Sequence, residues 1–121
     1  MELLSKIVIG FIALIHCYIL WLEMFAWTTR GRVVFKGSLP PDLFEPTKTL
    51  AANQGLYNGF LAAGLVWSLF IEDPTWQHNV AVFFLGCVAI AGLYGAATAS
   101  KKILYVQTIP AVIGLILVFL R

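Results

Sequence analysis

Four apolar stretches alternate with short polar interruptions along the chain. The first covers about residues 3–27 and ends where Thr28, Thr29, Arg30, Gly31 and Arg32 bring polarity and a helix breaker. The second covers about 49–71 and stops at Glu72, Asp73 and Pro74. The third and fourth, about 78–99 and 103–120, are joined by a tight turn at Ser100, Lys101 and Lys102. A bilayer's hydrocarbon core takes roughly 20 helical residues to cross. The pattern therefore predicts an all-α membrane protein: one domain over 1–121, with four transmembrane helices in an up-down-up-down bundle. The longest interruption, about residues 28–47, contains Pro40, Pro41 and Pro46 and a short amphipathic stretch from Arg32 to Phe35, which suits the headgroup region.

Composition agrees. Hydrophobic residues make up 60% of the chain and charged residues 12%, with a mean hydropathy of +0.88, against about 25% charge in soluble domains. The net charge is +2, but the basic residues cluster beside the apolar stretches, where membrane proteins carry them anyway, so no nucleic-acid partner is expected. The apolar run from Ile7 to Leu22 is longer than the roughly 7–15 residues of a signal-peptide core, and no small-x-small site follows it, so it reads as a retained helix. Six Lys and Arg residues fall in the first and third loops (Arg30, Arg32, Lys36, Lys48, Lys101, Lys102) and two elsewhere (Lys6, Arg121). That bias predicts those loops in the cytoplasm and both termini outside.

Polar side chains within the apolar stretches need a reason, because an ionised group at a span's centre costs roughly 2.5–3.5 kcal/mol on insertion scales. On the first helix His16, Leu20, Glu23 and Trp27 recur at steps of four, three and four, which places them on one face. The second helix carries Asn53, Gln54, Tyr57 and Asn58, the third Tyr94 and Thr98, the fourth Gln107 and Thr108. At a rise of about 1.5 Å per residue, Glu23, Asn53, Tyr94 and Gln107 lie about 7–10 Å from the nearest loop cation, and His16 lies deeper. If those faces converge, they line a cavity open to the cytoplasm, with Glu23 at its mouth and His16 at its floor. The other half of each helix is apolar, which disfavours a continuous polar pore. Each residue also has a plain structural reading. Asn and Gln glue helices together, and Gly55 and Gly59 form a GxxxG that admits close packing. Glu23 could pair with Arg30 or Arg32. Gly86, Gly92, Gly95 and Gly114 could serve the other helices as Gly55 and Gly59 serve the second, and Cys17 and Cys87 read as buried thiols.

The segments ALIHCYILWLEMFAW, ANQGLYNGFLAAG and VQTIPAVIG resemble those of a family of small bacterial membrane proteins, domain of unknown function 1304, over nearly the full length. The resemblance implies four transmembrane helices in a bacterial cytoplasmic membrane and supplies no chemistry. Its motif residues, carried over, are His16, Glu23, Met24, Trp27, Asn53, Gln54, Gly55, Asn58 and Gln107.

Three function classes stay open. In the first, the protein binds or transforms a small lipid-like molecule: Glu23 and His16 handle a proton, Asn53, Gln54, Asn58, Tyr94 and Gln107 orient a polar head, and Trp27 or Tyr57 packs on the apolar body. In the second, a proton-coupled exporter resembling the small multidrug transporters uses Glu23 to exchange a proton for a cation; the charge bias opposes the dual topology of many such proteins. In the third, Gly55 and Gly59 bind another membrane protein or a second copy in an assembly. Membrane lipids are the expected surroundings in all three. No P-loop, metal cluster or nucleophile elbow is present in the sequence, and no cofactor is expected.

Overall fold

The computed structural model describes residues 1–120 and is all-α: α1 (Leu3–Phe25), α2 (Arg30–Val34), α3 (Lys48–Phe70), α4 (Pro74–Thr98) and α5 (Ile109–Phe119). A 3-10 turn covers Pro41–Leu43, and a π-helical segment, Leu104–Thr108, leads into α5. Among the described residues two helices, Leu3–Phe25 and Pro74–Thr98, are long and apolar enough to cross a membrane. The last apolar helix, Leu104–Phe119, is shorter.

The described residues form two compact units, 1–14 with 61–120 and 15–60. In the first unit, the start of α1 and the end of α3 pack with α4 and α5 around Ile9, Ile12, Leu65, Leu85, Val88 and Val118. Helix α4 starts at Pro74, four residues before the apolar pattern begins. Asp73 explains this, because its carboxylate accepts from Thr75 N at 3.0 Å and proline at the first helical position needs no donor partner. The π segment is explained by Pro110. Without an N–H, Pro110 cannot bond the Val106 carbonyl, and the turn before it widens so that Ile109 N reaches back five residues to Leu104 O. That wide turn lies against Gly92, where a Cβ would stand 2.8 Å from Thr108 N, and Thr108 Oγ1 donates to Ala89 O at 3.1 Å. Gly95 and Gly114 also lie at close contacts, with Ile103 and Leu85, whereas Gly86 has nothing near it.

In the second unit α1 ends at Phe25, and the Ala26 carbonyl collects three donors, Gly31 N (2.7 Å), Thr29 N (3.2 Å) and Thr29 Oγ1 (3.3 Å). These turn the chain directly into α2 and satisfy a helix-end carbonyl that would otherwise lack a partner. Trp27 anchors the loop. Its indole packs 5.3 Å from the Phe35 ring and 5.0 Å from the buried Phe44 ring, and its Nε1 donates to Thr47 Oγ1 at 3.0 Å. Thr47 in turn donates to Leu43 O at 2.7 Å, so one tryptophan ties the end of α1 to the residues that open α3.

Candidate functional site

The first-helix stripe is the buried face of its element. His16 is fully buried, Glu23 is 4% exposed, and Leu20 and Trp27 are half-buried. Its facing element within residues 15–60 is α3. Asn58 Nδ2 donates to Glu23 Oε1 at 2.7 Å and to the backbone carbonyl of Gln54 at 3.2 Å. Gly55 makes that approach possible: a Cβ there would stand 2.8 Å from Met24 Cγ, 3.0 Å from Glu23 Cβ and 3.2 Å from Leu20 O. One turn on, a Cβ at Gly59 would meet Leu20 Cδ1 at 2.6 Å. The GxxxG face is thus occupied by the chain's own first helix. Glu23 has Asn58 as its partner, not Arg30 or Arg32. Arg32 instead donates from Nε to Thr28 O at 2.7 Å and from Nη1 to Pro41 O at 2.8 Å.

The remaining predicted residues are placed differently. Asn53, Gln54 and Tyr57 are exposed on α3. In the other unit Tyr94 is 72% exposed, while Gln107 is buried in the π segment. Trp27 has its N–H engaged by Thr47 and its ring stacked in the loop. Cys17 is exposed and Cys87 half-buried, both as free thiols. Among the described residues no group of His, Cys, Asp and Glu is arranged to hold a metal.

A concavity of about 510 Å³ opens in the loop of the second unit, lined by Arg32, Lys36, Ser38, Leu39, Pro41 and Phe44 among others. Neither Glu23 nor His16 lines it. The sequence pattern does not reveal this cleft, since it depends on the turn at Gly37, whose φ of 87° lies in the left-handed region; the Lys-Gly and Pro-Pro dipeptides are the only local signal. At the end of the loop Lys48 Nζ and Glu45 Oε1 pair at 2.8 Å, both exposed. The hydrogen bond from Lys48 holds the Glu45 carboxyl below its usual range, and the same bond raises the Lys48 ammonium.

Fold and site together define a small all-helical protein with strongly apolar helices and one carboxylate buried against an amide. The chain belongs to the family described as "Protein of unknown function (DUF1304)", whose model matches residues 10–119. It is 33% identical over 118 residues to the "Uncharacterized protein YpaA" of Lactococcus lactis subsp. lactis (strain IL1403), covering 96% of this chain and 97% of that protein. No solved structure matches it.

Proposed function

We propose that this chain is a four-span membrane protein, with the loops at 28–47 and 100–102 in the cytoplasm and both termini outside, that binds a small lipid-like molecule at Glu23. The membrane reading is supported by how little of its apolar surface is used internally. Only 28% of the most apolar window of α1, and of α4, is buried. Large side chains such as Leu14, Phe83, Ile90 and Phe119 stand open, far more than scattered apolar residues on a water-facing surface.

The observation that carries the binding reading is the Glu23–Asn58 bond. A carboxyl group inside an apolar helix marks function by default, and this one is 4% exposed with an amide aimed at it. Asn58 is the half-exposed edge of the pair, and the exposed Gln54 lies one turn before it. A ligand's polar head meets the pair there, exchanging hydrogen bonds with the amide while Glu23 and, deeper, His16 hold or pass a proton. The assembly reading is less well supported, because the glycine face it needs already carries Leu20, Glu23 and Met24.

Native mass spectra of the wild type and Glu23→Gln, purified in mild detergent, test the proposal. Glutamine keeps the acceptor for Asn58, so the variant should fold. A small molecule bound to the wild type and absent from the folded variant is the expected result. An identical set of bound species on both proteins, with nothing lost from the variant, or none on either, overturns it.

A further inference from the structure

We infer that the loop cleft is a second, separate site, which holds the phosphate of an anionic lipid headgroup. Its lining carries two cations, Arg32 and Lys36, and no acid. Arg32 is fixed before any ligand arrives. Nε is held by Thr28 O, Nη1 by Pro41 O, and the guanidinium carbon stands 5.4 Å from the centroid of the Phe44 ring. Among the described residues Nη2 makes no hydrogen bond, the exposed Glu45 carboxylate of the same loop acting on the guanidinium only through its charge, and a planar guanidinium held this way suits phosphate oxygens. Among the described residues Lys36 has no carboxylate within ion-pair reach. Its backbone is set by a turn in which Ser38 N donates to Phe35 O at 3.0 Å and Gly37 takes a positive φ. Two cations and Ser38 lining one cleft would bind an anion in water as well, so the rest of the lining decides its source. Leu39, Pro41 and Phe44 give the cleft an apolar wall. The cleft also lies in the loop that directly follows the apolar helix α1, where Phe25 and Val33 are 73% and 61% exposed. Its volume of about 510 Å³ accommodates a headgroup with its glycerol, and basic pockets at the ends of membrane helices take such groups.

The test uses full-length protein in mild detergent, incubated with equimolar phosphatidylglycerol and phosphatidylcholine, washed, and assayed for retained lipid by mass spectrometry. Phosphatidylcholine offers the same phosphate, neutralised by its own ammonium. The wild type should retain phosphatidylglycerol over phosphatidylcholine by about fivefold or more, the effect expected of a single basic residue near a lipid surface. Lys36→Gln should cut that preference several-fold, Arg32 keeping the remainder, at an unchanged melting temperature, since that side chain makes no bond that supports the loop. Glu23→Gln should keep the preference, which separates this site from the one at Glu23. Equal retention of the two lipids by the wild type, or a preference indifferent to Lys36→Gln, overturns the inference. Loss of bound phosphatidylglycerol to excess inorganic phosphate also overturns it, by assigning the cleft to a soluble phosphate.

Discussion

Removing the amide should harm this protein more than removing the carboxylate it serves. Asn58 donates to Glu23 at 2.7 Å, and Glu23 is 4% exposed, so Asn58→Leu leaves a buried acceptor without that donor. An unsatisfied buried polar group costs about 1–3 kcal/mol. Glu23→Leu removes the buried acceptor itself, and the freed amide is half-exposed and keeps the Gln54 carbonyl at 3.2 Å. Its cost should therefore be the smaller, below about 1 kcal/mol on the same scale. Polar pairs between membrane helices couple by about 0.6 kcal/mol on average and up to about 1.7. The short distance and the burial place this pair toward the upper end, so a coupling of about 1 kcal/mol is expected from the double-mutant cycle. Unfolding in mixed micelles of rising dodecyl sulfate fraction, followed by far-ultraviolet circular dichroism, gives all four stabilities. A coupling below about 0.3 kcal/mol, half the membrane average, or an Asn58→Leu cost no larger than that of Glu23→Leu, would refute the reasoning.

Three further outcomes follow from the packing and the loop. Gly92→Ala should destabilise by about 1–3 kcal/mol, the usual cost of overpacking, because its Cβ would crowd the Thr108 backbone at 2.8 Å; the same unfolding assay reads it, and a neutral result would deny the close approach of α4 to the π turn. Trp27→Phe keeps an aromatic ring between Phe35 and Phe44 but loses the bond to Thr47, so a loss of about 1 kcal/mol is expected; added to Thr47→Val it should cost nothing more. The Glu45–Lys48 pair is exposed on both sides. Its lowered carboxyl pKa means that any contribution is present above pH 4.5 and lost as the pH falls through the folded value; Glu45→Gln should leave the melting temperature unchanged at pH 7, since solvent screens such pairs.

The helices were legible because hydrophobic periodicity and capping residues are local. Asp73 and Pro74, which stop one apolar stretch, also start the next helix. The π turn was not legible as such, although its cause, Pro110, stands in the sequence; a proline in a helix can kink it, end it or widen the preceding turn, and which occurs depends on what packs beside it, here Gly92. The stripe His16, Leu20, Glu23 and Trp27 was readable from spacing alone, but the partner of Glu23 was not. Asn53, Gln54 and Asn58 were equal candidates, and only the rotation of α3 that brings Gly55 against α1 selects Asn58 and leaves the other two exposed. Trp27 reads as a ligand-facing ring until the loop folds back and Thr47 takes its N–H. The loop cleft depends on backbone conformation at Gly37 and on carbonyls at Thr28 and Pro41, none of which a side-chain pattern encodes.

The most direct test of the central claim, that the chain threads the membrane four times, is sided labelling of single cysteines. In a Cys17→Ser, Cys87→Ser background expressed in bacteria, cysteines at Ser38, Thr75 and Ser100 are exposed in sealed right-side-out vesicles to a membrane-impermeant maleimide. Thr75→Cys should label at once, and Ser38→Cys and Ser100→Cys only after the vesicles are opened. Labelling of Ser38→Cys and Thr75→Cys from the same side would contradict the account, because α3 lies between them.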